Sequence, residues 1–221
     1  TAQGNLFTGS SGIASDDLSA AIRQAAADKD IKAIIFRVDS PGGSVTASDQ
    51  ILDAIKKAQA KGKPVVVSMG SVAASGGYYV SASADRIVAE PGTLTGSIGV
   101  LTGKISFAGT QELLGVKLEE VAVGKNTLMD SVTKPFTEAQ WANLNHQADV
   151  IYADFLAKVS AGRKLPLAQV ADAARGRVWT GADLKAKGLV NDLGGFWTAA
   201  GLAAGLGKVN PAAITFRVYP K

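Results

Sequence analysis

Pro64-Val65-Val66-Val67-Ser68-Met69-Gly70-Ser71-Val72-Ala73-Ala74-Ser75-Gly76-Gly77-Tyr78-Tyr79 passes from an apolar run into small residues with serines among them. The run from Pro64 to Met69 reads as a strand covered on both faces, because near-continuous β-branched stretches mark buried parallel strands. The segment from Gly76 to Ala84 reads as a helix of small residues. A serine at such a strand-to-helix turn has its oxygen exposed, with unpaired backbone N–H groups of the helix start beside it.

Upstream, Ile31 to Val38 is a second apolar strand. Asp39-Ser40-Pro41-Gly42-Gly43 then turns, and Ser44 opens a helix carrying Ile51, Leu52 and Ile55. Ser15 caps an earlier helix with Leu18, Ala21, Ile22 and Ala25 on one side. Downstream, Arg86 to Ala89 is a short third strand. The order β-α-β-α-β predicts an α/β fold with a parallel sheet, flanking helices and right-handed crossovers.

Further along, Lys117 to Val123 alternates weakly and reads as another strand. Thr137-Glu138-Ala139-Gln140 is a capping box opening a long helix. Its apolar face is Trp141, Leu144, Ala148, Ile151, Tyr152 and Phe155. Pro166 begins a short helix, and Thr180 caps another over Gly181 to Lys187 that Gly188 ends. The tail from Asn210 to Lys221, with two prolines, reads as a strand or an extended arm. One domain is expected over residues 1–221.

A chain of 221 residues with 47% hydrophobic and 19% charged residues buries a sizeable core without disulfides or metals. The net charge of +4 is mild, and its lysines are dispersed, as in Lys56-Lys57 and Lys185-Ala186-Lys187. Solvated helix faces, and no nucleic-acid partner, are expected. The absence of cysteine is compatible with an oxidising compartment. No apolar run reaches transmembrane length.

Ser75 needs a base, since a serine hydroxyl is a weak nucleophile until its proton is removed. Ser-Gly-Gly strings also start ordinary helices. The nucleophile elbow of α/β-hydrolases requires glycine two residues before and two after the serine. Gly77 meets the second condition, but Ala73 occupies the first position. The single histidine, His146, falls opposite the apolar stripe of its helix and reads as a surface residue. A Ser-His-Asp triad and a histidine metal site are therefore not expected. A lysine serves as base when burial or nearby positive charge lowers its pKa from about 10.4. Lys125, in Val123-Gly124-Lys125-Asn126-Thr127, is the leading candidate; the alternative is a solvated loop lysine. Ser97 can hydrogen-bond a catalytic amine, or be a turn serine. Gly42, Gly43 and Gly76 can bring N–H groups to a substrate carbonyl, or serve only as turn glycines.

Four segments together carry a resemblance. They are Asp39-Ser40-Pro41-Gly42-Gly43-Ser44, Ala73-Ala74-Ser75-Gly76-Gly77-Tyr78-Tyr79, Thr93-Leu94-Thr95-Gly96-Ser97-Ile98-Gly99 and Gly176-Arg177-Val178-Trp179-Thr180-Gly181. From about Ile31 to Gly195 the chain resembles the signal peptide peptidase A (protease IV) family of serine proteases. The resemblance implies a Clp-protease/crotonase fold and a Ser-Lys dyad with Ser75 as nucleophile. It also implies Ser97 as the serine orienting the lysine, and Gly42, Gly43 and Gly76 in the oxyanion region. Short members carry the base lysine in the same chain, where Lys125 corresponds, although Gly124 and Asn126 depart from the family's pattern. Long members are tandem duplications with the lysine in the first half. This chain is most similar to a second half, which implies a base supplied by a preceding half-domain.

The resemblance further implies cleavage of apolar, membrane-derived peptides such as signal-peptide remnants. It implies homo-oligomers, no metal or organic cofactor, and a place on the periplasmic or extracytoplasmic face of the bacterial inner membrane. Two other functions are compatible with the fold. One is an acyl-CoA enzyme of the crotonase class, against which the lack of a carboxylate around Ser75 counts. The other is a catalytically silent half that shapes an assembly.

Overall fold

Buried β-branched residues supply the central strands. A computed structural model of the chain describes residues 12–119, 121–124 and 126–220. In chain order the elements are α1 (Ser15–Ala27), β1 (Ile34–Ser40), α2 (Val45–Ala60), β2 (Val65–Ala74), α3 (Gly76–Ser81), β3 (Arg86–Ala89) and β4 (Leu94–Gly96). There follow α4 (Ala108–Leu113), α5 (Glu138–Arg163), α6 (Leu167–Ala173), β5 (Val178–Thr180), α7 (Gly181–Ala186), β6 (Asp192–Leu193), α8 (Phe196–Leu206) and a 3-10 turn at Pro211–Ala213. They make two compact units, one of residues up to Gly99 together with Asp154 onward, the other of Val100–Ala153.

The first unit holds a six-stranded sheet organised on β2. β1 runs parallel along one edge of β2, from Ile34 opposite Val65 to Val38 opposite Met69. β3 pairs with the other edge at Val66 to Ser68, and β4 takes over that edge at Val72 to Ala74. β5 is antiparallel to β4, and β6 is parallel to β3. The expected α/β fold with a mostly parallel sheet and flanking helices is what the chain forms.

One face of the sheet packs Val66 and Val88 against Ala199 and Ala203 of α8, with Ala33, Ile35 and Leu202 around them. Strand alternation sends Val65 and Val67 to the opposite face. α2 buries Ile51, Leu52, Ala54, Ile55 and Ala58 and packs against β2, α1 and α3. Each large side chain removed from water in this way contributes about 1.5–3 kcal/mol.

Several sequence expectations differ from the structure for identifiable reasons. β2 runs on past Met69 to Ala74 across a bulge, since Val38 opposes Met69 while Ser40 opposes Ala73. The surplus residues lie around Gly70, where an added Cβ would meet the Asp39 carboxyl carbon at 2.6 Å. The Asp39 carboxylate accepts the Val72 N–H at 3.1 Å, and Thr93 Oγ1 donates to the Gly70 carbonyl at 2.9 Å. Such a bulge re-aims the end of a strand. α8 escapes a periodicity search because Phe196–Leu206 is nearly all apolar and buries only alanines. The strand expected at Lys117–Val123 does not form among its described residues, and Val121 and Val123 are exposed.

The capping box at α5 is present, with the Gln140 N–H on Thr137 Oγ1 and the Thr137 N–H on Gln140 Oε1. The tail is an arm rather than a strand. Arg217 pairs with Asp28 and Asp30, and Tyr219 donates to Asp28. In the second unit, Lys104 donates to the carbonyls of Met129 and Ser131 and lies 4.4 Å from the centre of the Phe136 ring. Among the described residues no helix is long and apolar enough to cross a membrane.

Candidate active site

Ser75 is the residue between β2 and α3, and its backbone is held at φ 52°, ψ −118°. A non-glycine residue there is strained at a cost of order 1–3 kcal/mol and persists only where its surroundings enforce it. Here both sides do. The Ser75 N–H donates to the Gly96 carbonyl at 2.9 Å, and the Ser75 carbonyl accepts the Tyr79 N–H at 2.8 Å. The side chain is partly exposed, and among the described residues Oγ has no hydrogen-bond partner. The sequence reading of a serine presented at a strand-to-helix turn therefore matches the structure.

The two glycine turns meet at this serine. Gly42 has φ +108°, and an added Cβ there would lie 2.6 Å from the Gly76 nitrogen and 2.8 Å from Ser75 Cβ. A Cβ on Gly76 would lie 3.2 Å from the Gly43 nitrogen and 2.7 Å from Ser48 Oγ. The backbone of residues 42–43 is thus laid directly against residues 75–76, which only glycine permits. Gly76 is the first residue of α3, so its N–H has no intrahelical acceptor. The Gly43 N–H also has no partner among the described hydrogen bonds. Two N–H groups without an acceptor among the described residues, beside a partly exposed hydroxyl, are the kind of donor set an oxyanion requires. The Gly42 N–H is differently employed, donating to Ser40 Oγ at 3.2 Å.

Ser97 is brought to the same end of the sheet. It follows β4, which pairs Gly96 with Ala74, so it leaves its strand beside the point where Ser75 leaves β2. Its backbone is also left-handed, at φ 49°, and its N–H donates to the Arg177 carbonyl at 2.8 Å. The Gly176–Gly181 segment is the buttress of this turn. Gly176 donates to Ile98, β5 pairs with β4, and Gly181 donates to Thr93. A Cβ on Gly99 would lie 2.7 Å from the Gly176 nitrogen. The sequence offers the segment only as a motif; its supporting role depends on bonds to residues 93–99, far away in sequence.

Lys125 lies outside the described residues. His146 is exposed, as its position on the helix predicts. A different lysine, Lys158, stands near α3, with Nζ 2.6 Å from Tyr79 Oη, 2.6 Å from Asp49 Oδ1 and 2.8 Å from Asp154 Oδ2. Partial burial pulls its pKa down, but hydrogen bonds to Asp154, Asp49 and Tyr79 outweigh this and hold it above the ordinary lysine value. That direction favours the ammonium form, the opposite of what a general base needs. Tyr79 itself is pushed up to about 12, chiefly by burial. The sequence shows Asp154 and Lys158 as a helical i, i+4 pair, but nothing in it points to Asp49 and Tyr79 as their partners. Among the described residues no cluster of His, Cys, Asp or Glu is placed to hold a metal.

Comparison with known proteins matches residues 57–210 to Peptidase family S49. The chain belongs to peptidase family S49. Residues 10–92 also match the Clp protease family, in keeping with the parallel sheet and its flanking helices. Among similar proteins, Protease 4 of Salmonella typhi is 42% identical over 198 residues, covering 89% of this chain and 32% of that protein. The chloroplastic serine protease SPPA of Arabidopsis thaliana is 39% identical over 202 residues, covering 91% of this chain and 30% of that protein. A putative signal peptide peptidase SppA of Enterococcus faecium is 32% identical over 169 residues, covering 76% of this chain and 48% of that protein. The chain thus spans about a third of the length of the first two relatives.

Proposed function

We propose that this chain carries the nucleophile and the oxyanion hole of a serine endopeptidase. The observation that carries the proposal is the strained Ser75, whose hydroxyl and the neighbouring Gly43 and Gly76 N–H groups have no hydrogen-bond partner among the described residues. In the reaction, Ser75 Oγ bonds to the scissile carbonyl carbon and its proton passes to a neutral lysine amine. The carbonyl oxygen becomes an oxyanion and accepts from Gly43 and Gly76, in the region Gly42 shapes. Collapse expels the peptide amine, which takes the proton from the ammonium. Water then repeats the sequence on the acyl-enzyme and releases the acid.

Lys125 is the base in this scheme if the dyad is complete within the chain, and Ser97 orients the amine. A preceding half-domain supplies the base otherwise. The substrates are apolar, extended peptides derived from membranes, signal-peptide remnants among them. This follows the name of the Enterococcus relative and the glycine-lined approach to Ser75. The family resemblance further suggests a homo-oligomer acting on the extracytoplasmic face of the bacterial inner membrane.

The test is labelling by a fluorophosphonate, which bonds to an activated serine oxygen with loss of fluoride. Ser75→Ala is expected to abolish labelling and to reduce peptide hydrolysis on the order of 10³-fold or more. Lys125→Met is expected to match it if the base is internal. Labelling unaffected by Lys125→Met, or gained only when a preceding half-domain is present, assigns the base elsewhere. A full-length protein that resists the probe is a silent half and overturns the proposal.

A further inference from the structure

Behind Ser75, α3 carries a second feature that the catalytic scheme does not use. Tyr79 lies one helical turn beyond Ser75 and binds its carbonyl through the Tyr79 N–H. The residue is 4% exposed, and its ring meets the Phe155 ring of α5 at 4.8 Å between centroids, tilted by 57°. Its hydroxyl emerges among three charges. It accepts from Lys158 and lies 3.0 Å from Asp49 Oδ1 of α2 and 3.1 Å from Asp154 Oδ2 of α5. With one hydroxyl hydrogen, it donates to a single carboxylate at a time.

α2 begins just after Gly43, and α3 begins at Gly76. Ser48, one residue before Asp49, is buried against Gly76 and anchors its own hydroxyl on the Ser44 carbonyl. A link between Asp49 and Tyr79 therefore fixes the starts of α2 and α3 against each other. Gly43 lies just before the first of these starts and Gly76 opens the second, and neither N–H has an acceptor among the described residues.

We propose that Tyr79 and Lys158, through Asp49 and Asp154, form a positioning brace that sets the spacing of the Gly43 and Gly76 N–H groups at Ser75. The brace rests on the serine-peptidase reading of that site. Its members act through the backbone and touch no reacting atom. Oxyanion donors act within a few tenths of an ångström, and loss of one costs about 10²–10³-fold in kcat. A loosened pair loses less. The expected effect of Tyr79→Phe is about a 10-fold fall in kcat with KM nearly unchanged, since the donors engage most strongly in the transition state.

The experiment uses the full-length protein, with kcat and KM on an apolar peptide and the rate of fluorophosphonate labelling of Ser75. Tyr79→Phe keeps the ring and its packing while removing the hydroxyl. Lys158→Met removes the cation from the exposed side. Both are expected to slow labelling and kcat to a similar degree. The double variant is expected to fall no further, because residues of one network are not additive. Asp192→Ala, which breaks the Arg86 pair at the opposite end of β2, is expected to lower the melting temperature without changing either rate. A wild-type protein that labels at Ser75, with Tyr79→Phe labelling equally fast, overturns the brace and leaves the peptidase reading standing. So does a loss in Asp192→Ala equal to that in Tyr79→Phe, since stability alone then explains both. A wild-type protein that does not label overturns the peptidase reading, and the brace with it.

Discussion

Gly42→Ala tests the contact on which the site is built, and Gly62→Ala provides its control. Both glycines have positive φ, +108° and +75°. Around Gly62 an added Cβ meets nothing within 4 Å, whereas at Gly42 it meets the Gly76 nitrogen at 2.6 Å, Ser75 Cβ at 2.8 Å and the Ala74 carbonyl at 3.0 Å. The left-handed backbone costs an L-residue roughly 1–2 kcal/mol. Lower freedom of the unfolded alanine chain returns about 0.4–1 kcal/mol. Gly62→Ala is therefore expected to destabilise by about 0.5–1 kcal/mol. Gly42→Ala adds overpacking against rigid backbone, typically about 1–3 kcal/mol, for a total of about 2–4 kcal/mol. With a urea slope near 3 kcal/mol/M, the midpoint falls by about 1 M for Gly42→Ala and about 0.3 M for Gly62→Ala. Equilibrium urea unfolding followed by circular dichroism measures both. In native buffer, Gly42→Ala is also expected to label with fluorophosphonate far more slowly than Gly62→Ala. Equal midpoint shifts refute the close approach of the two turns.

Three further outcomes follow from other parts of the chain. Gly201→Ala, at an exposed position of α8 with open space around it, is expected to stabilise by roughly 0.5–1 kcal/mol, seen as a melting temperature higher by about 1–4 °C. Thr180→Ala removes the hydroxyl that accepts the Asp183 N–H and is expected to cost about 1 kcal/mol in urea unfolding. Asp28 is held below its ordinary value of 3.8 by the Asp30 N–H first, then by the Tyr219 hydroxyl and Arg217. A depressed carboxyl contributes stability above its unfolded pKa and loses it as pH falls through the folded one. The C-terminal arm is therefore expected to stay docked from neutral pH down to about 4 and to release below that. Trp197, which meets Phe216 of the arm at 6.0 Å, reports this by its fluorescence; an arm that releases above pH 5 contradicts the clamp.

What the sequence makes legible is local. Val65, Val66 and Val67 announce a buried strand, and Thr137 and Gln140 announce a helix start, because each signal lies within a few residues. The run Gly70 to Ala74 hides the second half of β2, since it has little apolar periodicity. Its place in the sheet comes from Asp39 and Thr93, which are distant in sequence. Ser75 can be singled out from its neighbours, but its positive-φ backbone cannot, because the bonds from its N–H to the Gly96 carbonyl and from the Tyr79 N–H to its own carbonyl enforce it. Tyr79 reads as an ordinary core aromatic until Asp49, Asp154 and Lys158 are placed around its hydroxyl. Contacts that connect separate elements are the part a linear pattern does not encode.

The antiparallel pairing of β4 with β5 has a consequence for biosynthesis. Ser75 is fixed through Gly96, and the Ser97 turn is fixed through Arg177, yet residues 176–181 leave the ribosome only after the whole Val100–Ala153 unit. Domains acquire structure from the N-terminus onward as the chain grows. Until its last quarter emerges, a nascent copy has its serine on an unbuttressed loop with no reason to hold a strained conformation. On the serine-peptidase reading, a nascent copy is therefore expected to be unreactive at Ser75 until the segment that completes the sheet has emerged.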